Sequence, residues 1–205
     1  DNLMCAFGTL KGFLSAEKGR AVQVYAAFDN EETGSGSKQG AGSTLLRDTL
    51  ERIAESLGKD LRRMLASSFM LSADNGHARH PNHPELSDAE NAPYMNEGVV
   101  IKTNAAQKYT TDGLSAALFT EICRRADVPV QQFANRSDLA GGSTLGGISN
   151  TKVPLNTVDI GLAQLAMHSS YETAGCADAA YLIRAAQEFY RSTLETSEDG
   201  TYTLL

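Results

Sequence analysis

The stretch Phe28-Asp-Asn-Glu-Glu-Thr-Gly-Ser-Gly-Ser-Lys-Gln-Gly-Ala-Gly-Ser43 decides how this chain reads. An apolar, β-favouring run precedes it at residues 21–28 (Ala-Val-Gln-Val-Tyr-Ala-Ala-Phe), and a helical pattern follows at residues 43–57. The stretch thus falls where a strand ends and a helix begins, the place where open α/β sheets keep their sites. Adjacent carboxylates such as Glu31 and Glu32 repel each other, and near a core they persist when a cation divides their duties. A metal does so: one carboxylate ligates it while its neighbour handles the proton of the attacking water. The bland alternative is a solvated acidic turn. A phosphate cradle is excluded, because Lys38 is followed by Gln39 and the P-loop spacing fails.

With 205 residues the chain suits one domain with a sizeable core. A net charge of -7, with Lys and Arg dispersed, argues against a nucleic-acid surface. Cys5, Cys123 and Cys176 lie far apart in apolar, helix-like contexts, which suits buried thiols in a reducing cytoplasm better than disulfides. No apolar run approaches the ~20 residues of a membrane span, and no signal peptide is visible. The chain opens on Asp1, without Met and already within an amphipathic pattern, and reads as a start inside a longer protein.

Working outward, residues 1–14 carry a helical apolar stripe, with Asp1 placed to cap or precede it. Residues 43–57 form an amphipathic helix and 59–66 a shorter one. Residues 67–72 read as a buried strand that delivers Asp74. Residues 75–97 are polar, rich in His, Pro and Asn, and too long for a plain connector. Residues 98–104 read as a strand carrying Lys102, 115–126 as a helix, 128–133 as extended, and 141–147 as a flexible glycine-rich loop. Residues 157–161 are short and apolar, and a helix over about 177–194 precedes a frayed polar tail. Strands alternating with helices predict an α/β sandwich.

Asp1, Glu31, Glu32 and Asp74 fall at strand ends or helix starts, and His168 stands in a late apolar segment. Such an oxygen-rich set with one imidazole suits zinc, cobalt or manganese with an open coordination position. His77, His80 and His83 form His-x-x-His-x-x-His, but Pro81 and Pro84 forbid the regular helix that would gather them on one face.

Six motifs, in order, carry a family resemblance. They are Asp1-Asn-Leu, the Phe28 stretch, Ser72-Ala-Asp-Asn-Gly-His-Ala-Arg-His-Pro-Asn82, Val100-Ile-Lys-Thr-Asn-Ala-Ala-Gln-Lys-Tyr109, Gly142-Ser-Thr-Leu-Gly146 and Val158-Asp-Ile-Gly-Leu-Ala-Gln-Leu-Ala-Met-His-Ser169. Together they resemble the aspartyl aminopeptidase family of dinuclear metallopeptidases. The resemblance implies a three-layer α/β/α sandwich around a mixed, mostly parallel sheet, two divalent ions with zinc the first choice, peptide substrates, and homo-oligomers of the full-length protein. It implies Asp1 as the carboxylate bridging two metals, Glu32 and His168 as further ligands of one, and Asp74 as a ligand of the second. Glu31 matches the general base, His80 and His77 the roles of oxyanion support and substrate contact, and Lys102 and Tyr109 a pocket for the substrate's N-terminal side chain.

Two family features have no counterpart here, a metal-binding His well upstream of the bridging Asp and an inserted dimerisation domain. Residues 1–205 therefore read as the C-terminal portion of a catalytic domain. Three functions follow as expectations: a cytoplasmic metallo-aminopeptidase, with acidic N-terminal residues as one option for its preference; a silent fragment or assembly module lacking one ligand; or a neutral-residue aminopeptidase.

Overall fold

The computed structural model describes residues 1–205 and centres on a four-stranded sheet in the order β1-β5-β3-β4. The strands are β1 (Phe69–Ala73), β3 (Val99–Thr103), β4 (Val130–Ala134) and β5 (Asn156–Gly161). β1 and β5 run parallel, as do β3 and β4, while β3 and β5 are antiparallel. The sheet is therefore mixed, with two of its three pairings parallel, as expected. Two further strands, β2 (Gly76–His77) and β6 (Ala163–Leu165), continue the β1 and β5 courses as a parallel pair, with β7 (Thr173–Ala174) antiparallel to β6.

Alternation of side chains assigns the two faces. Leu71, Val99, Ile101, Val158 and Ile160 point to one face, under α1 (Leu3–Ser15), α5 (Gly113–Arg125) and α7 (Cys176–Arg191). There they pack with Cys5, Phe119, Cys123, Leu182 and Ala185 into the main apolar cluster. α5 starts on a capping box in which Asp112 accepts from Ser115 N–H and the Ser115 hydroxyl accepts from Asp112 N–H. α1 and α7 approach closely because a Cβ on Gly12 would lie 2.4 Å from the Ala186 Cβ, so only glycine fits. The opposite face carries Ser72, Val100, Lys102, Phe133 and Asp159 beneath α6 (Leu145–Ser149) and loop segments. That layer is thin and polar, so the two sides of the sandwich are unequal.

α2 (Glu31–Gly34), α3 (Leu45–Ser56) and α4 (Leu61–Ala66) complete the helices. Helix and strand boundaries fall within two or three residues of the sequence reading, with four differences of substance. Residues 21–28, read as the first strand, join no sheet, and no backbone–backbone hydrogen bond involves them. The tail, read as frayed, is a hairpin of β8 (Leu194–Thr196) and β9 (Tyr202–Leu204). The glycine-rich loop contains α6, whose Ser149 hydroxyl is satisfied within the turn by Leu145 O. Cys176, read as buried, is exposed, because it is the first residue of α7. Asp1 precedes α1, whose N-cap residue is Asn2, which is one of the two placements the sequence allowed.

Candidate metal centre

Three chain segments meet at the carboxyl ends of β1 and β5, and each brings one side chain able to ligate a metal. The first is the entry to α1. Asn2 Nδ2 donates to Ala73 O at 2.9 Å, which holds Asp1 at the end of β1 beside Asp74. The second is α2, whose start depends on Asn30 in the left-handed region at φ 62°, a conformation Asn tolerates better than most residues. Glu31 and Glu32 are its first two residues. The third follows β6, where Ala166 (φ 55°) and His168 (φ 65°) turn the chain back. A non-glycine residue held there stores strain of the kind found at functional sites. The His168 N–H is fixed by Glu172 Oε1 at 2.7 Å.

At the meeting point His168 Nε2 lies 2.9 Å from Glu32 Oε1 and 3.2 Å from Asp1 Oδ2. One ring nitrogen cannot aim a single N–H at two carboxylates, so the three groups converge on a common point. Ligand atoms of Asp1, Glu32 and His168 all lie within 4.8 Å of one another. A tetrahedral shell with bonds of ~2.0–2.1 Å spaces its ligands by roughly 3.3 Å, close to what is seen. Two further facts fit a cation here. Asp1 Oδ1 and Asp74 Oδ1 are buried oxygen atoms without a hydrogen-bond partner, and such orphans are rare unless an ion or water completes them. The donor set of carboxylate oxygens and one imidazole suits zinc. An open cleft of about 490 Å³, lined by Asp1, Glu32, His168, Ser169 and Glu172, leads to this point.

Glu31 stands beside the cluster, held above the usual carboxylate range by burial and then by the charges of Asp74 and Glu32. Lys102 is almost wholly enclosed at 1 % exposure; its Nζ donates to Asp74 Oδ2 at 3.2 Å and to Asn75 O at 3.1 Å, 5.3 Å from the centre of the Tyr109 ring. Tyr109 packs edge-on against Phe133, and burial raises its phenol above the ordinary value. Asp74, Lys102 and Tyr109 thus form one enclosed group, in which the lysine neutralises the carboxylate. His77 opens toward the same region. Burial, followed by His168 and Lys102, lowers its basicity.

The structure brings Asp1, Glu31, Glu32, Asp74, His77, Lys102 and His168 to one end of the sheet. His80 lies elsewhere. It lines a separate cleft of about 400 Å³ with Arg79, Pro84, Tyr94, Met95 and Glu97, its Nδ1 accepting from Asn82 N–H and its ring 5.3 Å from that of His83. Pro81 and Pro84 keep His77, His80 and His83 from sharing a helical face, as the sequence predicts.

Two residues matter that the sequence reading left unassigned. Glu172 fixes His168 but sits in a polar run with no pattern to betray it. Asp159, fully buried in the apolar run Val158-Asp-Ile160, did carry a signal, since a buried charge needs partners. Its Oδ1 accepts from Ser72 Oγ at 2.5 Å and Thr144 Oγ1 at 2.6 Å. Its Oδ2 accepts from Thr110 N at 2.5 Å and Thr110 Oγ1 at 2.7 Å. This carboxylate ties β1, α6 and the segment carrying Tyr109 to β5.

Comparison with known proteins agrees with this geometry. Residues 1–190 match the family described as aminopeptidase I zinc metalloprotease (M18). A probable M18 family aminopeptidase 2 of Clostridium acetobutylicum is 48% identical over 193 residues, 93% of this chain and 45% of the relative. A probable aspartyl aminopeptidase of Ricinus communis is 40% identical over 200 residues, 93% of this chain and 41% of the relative. Among solved structures, the S. cerevisiae mApe1 dodecamer superposes with a TM-score of 0.77 at 28% identity, covering 93% of this chain and 44% of that one. The chain spans less than half the length of these relatives. Matched over nearly its whole length by the family and by relatives in bacteria and plants, this chain belongs to the M18 family of aminopeptidase I zinc metalloproteases.

Proposed function

We propose that the protein to which this sequence contributes is a metal-dependent aminopeptidase that hydrolyses the first peptide bond of its substrates. The observation that carries this reading is the convergence of Asp1, Glu32 and His168 beside Glu31, with Asp1 Oδ1 and Asp74 Oδ1 buried and unpartnered. Asp1, Glu32 and His168 would hold one divalent ion, and Asp74, with Asp1 shared between them, would serve a second. Bound zinc supplies a Lewis acid for the scissile carbonyl and lowers the pKa of water. Glu31, beside a ligand and not one itself, takes the proton of the attacking water and returns it to the leaving amine. His77 faces the same space and is placed to contact substrate.

A preference for acidic N-terminal residues is supported by the name of the Ricinus communis relative and by the cation Lys102. Lys102 already neutralises Asp74, so a substrate carboxylate would have to share it. An assembly of identical subunits is supported by the dodecamer of the S. cerevisiae homologue. In the full-length protein Glu31→Gln should lower kcat by ~10² or more with zinc content unchanged, because general acid–base roles contribute ~10²–10⁴. Turnover within about tenfold of wild type would remove Glu31 from the role. Rates on Asp- and Leu-anilides then separate an acidic from a neutral preference.

A second reading concerns the 205-residue chain alone. Only three ligand side chains converge, and Asp74 Oδ2 is taken by Lys102. On that basis the isolated chain holds one ion and turns over poorly. Elemental analysis giving two equivalents of zinc together with robust turnover would refute it.

A further inference from the structure

Asp1 and His168 stand 167 positions apart, yet one carboxylate joins their main chains. Glu172 Oε1 accepts from the His168 N–H at 2.7 Å, and Glu172 Oε2 accepts from the Asp1 nitrogen. That nitrogen carries hydrogen whether it heads the chain or follows another residue, so the contact needs no terminal charge.

The loop that carries His168 has few other restraints. Residues 166–172 join β6 to β7, and β7 is two residues long, held by the pairs Gln164–Ala174 and Leu165–Thr173. Inside the loop the Ser169 N–H donates to Ala166 O at 3.0 Å, and the Tyr171 N–H to Ser169 Oγ at 3.1 Å. Ala166 and His168 both hold a positive φ, which is uncommon for residues with a Cβ and does not persist without support. The ring offers little help. Metal-ligating imidazoles are ordinarily oriented by a hydrogen bond on the second ring nitrogen, whereas both carboxylate contacts of His168 use Nε2 and Nδ1 has no protein partner. Orientation of this ligand therefore comes through its main chain, which Glu172 holds.

We infer that Glu172 is a positioning residue of the metal centre, whose two oxygens fix the Asp1 main chain against that of His168 and so set the spacing of two ligand atoms before an ion binds. This role deepens the metal-dependent reading above and rests on it. A carboxylate suits the task because it has two acceptor oxygens and, when ionised, no donor. Glutamine would satisfy one of the two nitrogens and turn its own NH₂ group toward the other. Glu172 is not itself among the converging ligand atoms, which belong to Asp1, Glu32 and His168, and both of its oxygens are already engaged.

The test uses the full-length protein as wild type, Glu172→Gln and Glu172→Ala. Cobalt is titrated in and followed by its visible absorption, with affinity measured against a competing chelator. Both variants should bind cobalt about 10–100-fold more weakly, the range found when a group that orients a ligand is removed, and their absorption bands should change. Glu172 is exposed, so the urea midpoint should stay close to wild type. Saturating cobalt should restore most of kcat, since Glu172 is assigned no contact with ion or substrate. Three results overturn the role: affinity within about threefold of wild type with an unchanged band; a glutamine variant that matches wild type, which would mean that one nitrogen suffices; or lost turnover that saturating cobalt does not restore, which would place Glu172 against the substrate. Wild-type protein that binds no cobalt would instead remove the metallo-aminopeptidase reading, and that result is seen before any variant is compared.

Discussion

The Asp159 network allows a quantitative prediction from two substitutions at one atom set. In Asp159→Asn one oxygen still faces Thr110 N–H and its hydroxyl, while the new amide nitrogen faces Ser72 Oγ and Thr144 Oγ1. Both of those groups are hydroxyls, which rotate to accept as readily as they donate. All four contacts therefore survive, and what is lost is charge assistance, set against a smaller desolvation penalty. The net cost should be roughly 1–3 kcal/mol, a fall in Tm of roughly 2–12 °C for a chain of this size. Asp159→Ala leaves the Thr110 N–H, which cannot rotate, the buried hydroxyls of Ser72 and Thr144 and the half-buried hydroxyl of Thr110 without their acceptor. At ~1–3 kcal/mol per unsatisfied group, the cost should be about 4 kcal/mol or more, a large share of a typical domain's ~5–15 kcal/mol. The assay is urea unfolding followed by far-UV circular dichroism, with the midpoints compared at constant m. Equal losses for the two variants would refute the rotation of the hydroxyls. A loss below about 1 kcal/mol for alanine would refute the network itself.

Three further outcomes are expected. Of the three thiols, only Cys176 should react rapidly with a disulfide reagent at pH 8, because burial pushes Cys5 and Cys123 up to about 12; three fast thiols would contradict the packing of α1 and α5 on the sheet. Hydrogen bonds from Arg124 and Arg125 hold Glu121 at about 2, below its ordinary 4.5. Its folded pKa is depressed, so its contribution is fully present above 4.5 and is lost as pH falls toward 2; Glu121→Gln should flatten the acid limb of stability against pH, and an unchanged limb would exclude the ion pair. Lys102→Met should destabilise the chain by ~3–5 kcal/mol by leaving Asp74 unpaired, and adding Asp74→Asn should recover much of the loss. Additive losses in the double variant would mean that the two groups do not interact.

Much of the sheet was legible because its strands obey local rules. Residues 69–73, 99–103 and 156–161 are short apolar runs, and the helices between them show the 3.6-residue repeat. The candidate ligands were legible for a different reason. Asp74 follows β1 directly and Glu31 and Glu32 open a helix, which are positions where α/β folds expose functional groups. Residues 21–28 were read as a strand but join no sheet, since pairing depends on a partner strand and not on the segment alone. The hairpin of β8 and β9 was missed because its polar residues resemble those of a loose tail.

The sequence by itself determined the periodicities, the acid-rich junction at Glu31 and Glu32, and the ordered motifs that assign the chain to the M18 family, because these are local properties or matches along the chain. Only the tertiary structure decided that Asp1 and His168, 167 positions apart, meet Glu32 at one point. It also decided that Lys102 neutralises Asp74, that His80 faces another cleft, and that residues 21–28 join no sheet. Distances, burial and charge compensation arise between segments remote in sequence, and only folding brings those segments together.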